Sequence, residues 1–145
     1  AQMEWGIGRA WLIKAYRALI WGEGEEGRAF LRGAVQAGAT VDDQYLRDVV
    51  YQLAGYEIER GTDAAYAAAG RLDEELKLAM PAARLPSLAS AMRLARAFEY
   101  YHAGKNEAVP PEVLRAFRMD PRTMLNRGAL SILVRSAVQT RLGAK

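Results

Sequence analysis

Three glycines follow the spacing of a loop that binds the pyrophosphate of a dinucleotide: Gly22, Gly24 and Gly27. In such sites the loop comes directly after a β-strand, and its backbone N–H groups face the phosphates. Here the preceding residues have helical periodicity, and three glutamates lie between and beside the glycines. Their charges would repel a phosphate group. We therefore interpret the segment as a flexible turn between two helices.

Carboxylate and imidazole groups could bind a metal ion or exchange protons, but their spacing supports neither role. His102 is the only histidine, and we expect it on the apolar face of a helix, in or beside the core. Glu57 and Glu59 on one predicted helix, and residues 73–75 on the next, lack the paired E-x-x-E and E-x-x-D spacings of magnesium-dependent helical hydrolases. Without cysteine there is no thiolate nucleophile or thiolate zinc site. The sequence predicts no enzyme, no metal and no cofactor.

Two arginines and a tyrosine form a row that suits contact with a nucleic-acid backbone. Arg93, Arg96 and Tyr100 are spaced i, i+3 and i+7, so they share one face of a helix. Guanidinium groups match phosphate, and the ring can stack on a base. Arg84, Lys105, Arg115, Arg118 and Arg122 flank this row. These eight residues are the predicted nucleic-acid-binding surface. The alternative is an ordinary solvated helix face, whose arginine stems cover neighbouring apolar surface.

The charge of the chain changes sign near residue 80. Residues 1–80 hold nine Lys/Arg against thirteen Asp/Glu, a balance of −4, and residues 81–145 hold eleven against four, a balance of +7. A basic half favours binding to phosphates or to an acidic protein surface. The acidic half of a second copy is one such surface.

Helical periodicity and helix punctuation cover almost the whole chain. Alanine is abundant, β-branched residues are few, and no segment sustains strand alternation. We predict helices over residues 3–21, 25–37, 40–60, 62–80, 87–104, 110–119 and 121–142. The fold class is therefore all-α, a single-domain bundle of about six to seven helices spanning residues 1–145. Acidic helices (3–80) precede a proline-bracketed link (81–86), which leads to basic helices (87–142).

One stretch resembles the second half of a tetratricopeptide repeat. Its matching positions are Tyr100, Tyr101, Gly104, Ala108 and residues 115–121. Pro110-Pro111 would fall inside the second helix of that repeat, where proline is unfavourable, and no second copy follows at a 34-residue period. We interpret the stretch as an ordinary helix pair.

The first and last helices carry more apolar surface than one side of a small bundle needs. In the last helix the apolar residues lie almost all round the helix, which predicts that it is central in the bundle or shared with a partner. Arg127, Arg135 and Arg141 fall within about 120° of one another on it. Trp5, Trp11 and Trp21 lie on separate faces of the first helix and could be interface anchors or core residues.

No apolar run approaches the roughly 20 residues of a membrane-spanning helix. The first segment lacks the basic start of a signal peptide. We therefore expect no membrane association and a cytoplasmic location.

These observations favour a non-enzymatic helical subunit that binds a nucleic-acid backbone, RNA or single-stranded DNA, without sequence specificity. It would work within a larger nucleoprotein assembly, in the manner of the small helical subunits of RNA-guided effector complexes. The alternative is a protein–protein adaptor or a head-to-tail homo-oligomer that uses the acidic and basic halves, without nucleic acid. An all-α hydrolase that uses the acidic residues of the third and fourth helices is a third possibility.

Overall fold

The computed structural model describes the backbone of residues 2–143 and the side chains of residues 6–124 and 126–142. Over this range the chain forms seven α-helices and two short 3₁₀ helices, and it contains no strand. The all-α class and the predicted number of helices are confirmed.

The helices belong to two compact units, residues 1–85 and 86–145. The first unit contains α1 (Gln2–Ile20), α2 (Gly24–Gln36), α3 (Asp43–Arg60) and α4 (Thr62–Ala79). The second contains α5 (Leu88–His102), α6 (Val109–Met119) and α7 (Arg127–Gly143), with 3₁₀ helices at Asn106–Ala108 and Pro121–Leu125. The boundary between the units falls inside the predicted link 81–86. That both units make one domain stays a prediction.

In the first unit α1 packs along α2 and α3 packs along α4, and α4 also contacts α1 and α2. The core comes from one stripe of each helix, as amphipathic periodicity requires. Its larger buried side chains include Leu12, Leu19, Ile20, Leu31, Val49, Leu53, Leu72 and Leu76.

The glycine-rich segment has three different roles. Gly22 lies in the turn between α1 and α2 with a φ of 87°, a conformation that other residues rarely adopt. Gly24 is the first residue of α2, and Gly27 is buried within that helix. A Cβ at Gly27 would lie 2.6 Å from the Leu19 Cγ. The predicted turn is therefore confirmed at Gly22 and wrong at Gly24, whereas Gly27 lies within a helix, as the predicted range 25–37 requires.

Side chains cap the starts of α3 and α5, and the predicted start of the last helix is corrected. Asp42 accepts a hydrogen bond from Tyr45 N (2.9 Å) at the start of α3, and Ser87 does so from Ser90 N (3.2 Å) at the start of α5. The last helix does not begin at residue 121. Residues 121–125 form a 3₁₀ helix, and α7 begins at residue 127, where the Asn126 side chain accepts from the backbone of residue 129 (3.1 Å).

In the second unit α5 and α6 form a helix pair, and α7 contacts both. Seven buried side chains form the centre of its core: Leu94, Ala97, Val109, Val113, Ala116, Ala129 and Ile132. Pro110 and Pro111 occupy the first turn of α6, where the missing N–H costs no helical hydrogen bond. The predicted start of this helix at residue 110 is therefore confirmed to within one residue, and the lack of a second copy still argues against a repeat array.

Among the described residues, every helix is too short or too polar to span a lipid bilayer.

Candidate interaction surface

A buried carboxylate on α6 holds two of the predicted nucleic-acid-binding residues. Glu112 is 7% exposed, and its carboxylate accepts from Arg93 Nη1 at 3.4 Å and from Arg115 Nη1 at 3.3 Å. Arg93 therefore bridges α5 to α6, and its side chain is only 24% exposed. Breaking such an ion pair from one side leaves a poorly solvated charge. The geometry gives Arg93 a role in holding the second unit together.

The other two residues of the α5 row are also partly covered. Tyr100 packs against the core of the second unit, and Arg96 is half-buried. The row Arg93, Arg96 and Tyr100 does lie on one helix, as the spacing predicts, but it is not the open face that a docking nucleic acid would need.

The remaining five predicted residues are exposed, with different partners. Arg84 lies in the link and donates to the Pro81 carbonyl oxygen at 3.4 Å, and it belongs to the first unit. Arg115 is exposed although it contacts Glu112. Lys105 and Arg118 are exposed and form no salt bridge with another described residue.

Arg122, the last of the eight, belongs to a local network around Asp120. Its Nη2 and Nε donate to the Asp120 carboxylate at 2.9 and 3.0 Å, and its backbone N–H donates at 3.0 Å. Ser87 N donates to the same carboxylate at 2.8 Å. Burial by itself would raise the pKa of Asp120, but the hydrogen bonds from Arg122 and Ser87 outweigh it and lower that pKa.

The last helix presents an apolar face to solvent. Leu130, Val134, Val138 and Leu142 are 41%, 62%, 51% and 66% exposed, and they recur every four residues, so they lie on one side of α7. We call these four residues the α7 stripe. The opposite side, with Ala129, Ile132 and Ser136, is buried. Of the two predicted alternatives for α7, a central position in the bundle is wrong, and a surface shared with a partner stays a prediction.

Three arginines border the α7 stripe: Arg127, Arg135 and Arg141. All three are exposed, α7 contains no Asp or Glu, and none of the three forms a salt bridge with another described residue. The residues of this surface were visible in the sequence. The sequence left open whether these residues are buried or shared with a partner, because an apolar spread round a helix is compatible with both.

The tryptophans divide between packing and exposure. Trp11 packs on Gly33 and lies 5.7 Å from the Phe30 ring, and it is 37% exposed. Trp21 lies 4.9 Å from the Tyr56 ring and is 41% exposed. The side chain of Trp5 lies outside the described residues. Each described tryptophan therefore serves the first unit mainly as a packing residue.

The acidic and imidazole side chains of the described residues form no metal-binding cluster. Among the described residues no three His, Cys, Asp or Glu side chains lie close enough to share a metal ion. His102 is exposed at the end of α5, so the prediction that it lies in or beside the core is wrong.

A small cavity lies in the first unit beside the ion pair of Arg9 Nη2 and Asp48 Oδ2 (3.0 Å). Tyr45, which lines it, is 5% exposed, and burial raises its pKa. Its hydroxyl has no hydrogen-bond partner among the described residues. The cavity volume is about 20 Å³, which is room for a single water molecule. It is too small for an organic ligand.

No protein-family model matches this chain, and neither the curated proteins nor the solved structures contain a match.

Proposed function

We propose that this chain is a non-enzymatic protein-interaction module that docks an acidic amphipathic helix on the α7 stripe. The observation that carries the proposal is the exposure of Leu130, Val134, Val138 and Leu142 on one side of a helix whose other side is core. A continuous apolar helix face bordered by charges is typical of a surface that another helix covers.

The magnitudes agree with a specific but reversible contact. Each of the four side chains keeps roughly half of its surface in water, so covering it would contribute about 1 kcal/mol. The bordering Arg127, Arg135 and Arg141 supply charge without any acid on the same helix. They favour a partner with glutamates or aspartates beside its apolar stripe, and they would speed its approach.

Two observations favour this function over the binding of a nucleic-acid backbone. A phosphate backbone makes no favourable contact with a row of four aliphatic side chains. In addition, the α5 row is half-covered, and Arg93 contacts Glu112. The adaptor alternative therefore becomes the leading proposal.

The test measures binding of a synthetic helical peptide with leucines at i, i+4 spacing and flanking glutamates. We expect Val134→Asp with Val138→Asp to weaken binding at least about tenfold, because two charges would be desolvated against the leucines. Leu78→Asp is the matched control, since Leu78 is 80% exposed on α4 of the first unit. Fluorescence anisotropy gives both affinities, and circular dichroism verifies that each variant keeps its helix content.

A peptide with the same composition but scrambled spacing controls for simple charge attraction. Equal binding of both peptides, or binding that is indifferent to the two aspartates, would contradict the proposal.

Nucleic-acid-backbone binding is kept as a second candidate because the second unit has a surplus of exposed cations. Lys105 and Arg118 are exposed without a salt bridge to another described residue, as are the three arginines of α7. Affinity for single-stranded RNA or DNA of about 20 nucleotides should then fall steeply with salt. Arg118→Gln should reduce the salt slope by about one without affecting stability. An affinity that Arg118→Gln leaves unchanged at every salt concentration would eliminate this candidate.

A further inference from the structure

We infer that the occupant of the α7 stripe is α3 from a second copy of this chain, so that copies associate head to tail. This inference rests on the proposed function and names its partner. It is carried by an exposed apolar face on α3, by a glycine within that face and by the charges beside it.

The outer side of α3 is apolar at helical spacing. Tyr51 is 78% exposed and Ile58 is 87% exposed, and Ala54 and Gly55 between them are exposed as well. We call these four residues the α3 face. The opposite side of the helix carries the buried Tyr45, Val49 and Leu53. Like α7, α3 therefore has one side in the core of its own unit and an apolar side in solvent.

The packing of the first unit does not explain why position 55, in the interior of α3, is a glycine. Glycine is unfavourable in the interior of a helix relative to alanine, so a helical glycine usually permits a close approach. At Gly27 the approach is visible, because a Cβ there would collide with Leu19. At Gly55 a Cβ would meet nothing within 4 Å, and the same holds for Gly6 in α1 and Gly70 in α4. The open space at Gly55 would allow the side chains of a second helix, crossing the α3 face, to reach the backbone of α3.

Acidic residues outnumber basic ones on α3, whereas the charged residues of α7 are all basic. Helix α3 holds four Asp/Glu against Arg47 and Arg60, a balance of −2, and the exposed Arg47 lies one turn before the α3 face. Glu57 and Glu59 are two residues apart, so they flank the α3 face on opposite sides. Arg60, at the end of α3, points to the Trp21 ring, 5.8 Å from its centroid. The α7 stripe has arginines on its borders and no acid. At the scale of the units, residues 1–85 carry a net charge of −3 and residues 86–145 carry +6.

The two faces belong to different units of one chain, so pairing them between copies is a heterologous contact. A copy that gives its α3 face to one neighbour still has its own α7 stripe to offer. The contact therefore either repeats from copy to copy in a ring or filament, or is made twice between two copies. A single pair of helices buries less than the roughly 1,200 Å² of a standard interface, so the association is weak and depends on concentration.

The experiment is sedimentation analysis of two variants, alone and mixed. The first variant carries Val134→Asp and Val138→Asp, and the second carries Tyr51→Asp and Ile58→Asp. The unchanged chain should show a mass that rises with concentration from about 10 μM to about 1 mM and falls with added salt. Each variant alone should remain monomeric, because each lacks one of the two faces.

An equimolar mixture of the variants should recover a dimer and nothing larger, because one intact α3 face meets one intact α7 stripe. Leu78→Asp should associate like the unchanged chain. The four positions substituted in the two variants, and Leu78 in the control, are all solvent-exposed. The helix content of these proteins should therefore stay the same.

Two outcomes would overturn the inference. One is a mixture that stays monomeric while the unchanged chain associates, since that result excludes α3 pairing with α7. The other is an unchanged chain that is monomeric at every concentration. If the acidic peptide still binds the α7 stripe in either case, only the identity of the partner is wrong and the proposed function stands.

Discussion

At the scale of single residues, Asp120 ties together the beginning of α5 and the end of α6. Its carboxylate accepts from Ser87 N directly before α5 and from Arg122 N at the 3₁₀ helix that follows α6. The Arg122 guanidinium donates to the same group twice. Hydrogen bonds from charged or cap-forming groups to a carboxylate are stronger than ordinary ones. This one side chain therefore orients two segments that lie 33 residues apart in the chain.

We expect Asp120→Asn to lower the free energy of unfolding by about 2 kcal/mol at pH 7, because the amide loses the ionic hydrogen bonds. The lowered pKa of Asp120 means that its carboxylate stabilises the fold above the ordinary aspartate pKa of about 3.9, and that this contribution is lost as the pH falls through the folded value. The difference between the variant and the parent should therefore shrink below about pH 4.

Urea unfolding at a series of pH values measures that difference. Glu107→Gln is the control, since Glu107 is an exposed acid of the same unit, and its effect should stay within about 0.5 kcal/mol. A difference that is constant down to pH 2.5 would show that the charge of Asp120 is not the cause.

At the scale of secondary-structure elements, two helical glycines differ in their packing surroundings. Gly27 lets α2 approach α1, where a Cβ would lie 2.6 and 2.8 Å from Leu19 Cγ and Cδ2 and 3.1 Å from the Leu19 backbone nitrogen. Gly55 in α3 has open space around the position of its missing Cβ. Within one copy of the chain, the same residue type therefore allows a close helix crossing in α2 and has no packing neighbour in α3.

Gly27→Ala should destabilise the chain by about 2 kcal/mol, because neither the Leu19 side chain nor its backbone can move aside without disturbing the core. Gly55→Ala should instead raise the free energy of unfolding by about 0.5–1 kcal/mol, because it removes the helix penalty of glycine. Thermal unfolding of the pair gives both signs in one experiment. A gain at residue 27, or a loss at residue 55, would contradict the packing described for that helix.

At the scale of the whole molecule, the charge boundary and the structural boundary nearly coincide. The units divide between residues 85 and 86, and the charge changes sign near residue 80. Residues 80–87 contain no helix, and Arg84 is exposed there. The chain therefore consists of an acidic and a basic helical unit joined by a short proline-bracketed link.

Limited digestion with trypsin should cut first after Arg84, because proteases prefer exposed segments outside helices. Lys105 also lies outside a helix, but its N–H donates to the Tyr100 carbonyl at 2.8 Å, which holds that turn in place. Mass spectrometry should therefore find fragments 1–84 and 85–145 before any others, and Arg84→Gln should suppress them. Early cleavage inside α1–α4 would contradict the compactness of the first unit.

Local features of the sequence determine the helices. Periodicity, the caps at Asp42 and Ser87 and the prolines at the start of α6 act within a few residues, so the fold class and most helix ends could be predicted. The start of α7 was missed because Asp120-Pro121 is an equally good start for the 3₁₀ helix found there. The charge reversal is likewise a property of the sequence alone.

Only the tertiary structure decided which residues of these helices meet solvent or a partner. An apolar spread round α7 is compatible with burial or with exposure, and the choice depends on which sides α5 and α6 cover. The same holds for the α5 row, where the spacing placed Arg93 correctly on its helix but could not show Glu112, 19 residues later, beside it. Burial and pairing between helices depend on residues that are distant in the chain. Spacing could therefore place the eight predicted residues along their helices and links, but only the fold could show which side of α7 is exposed.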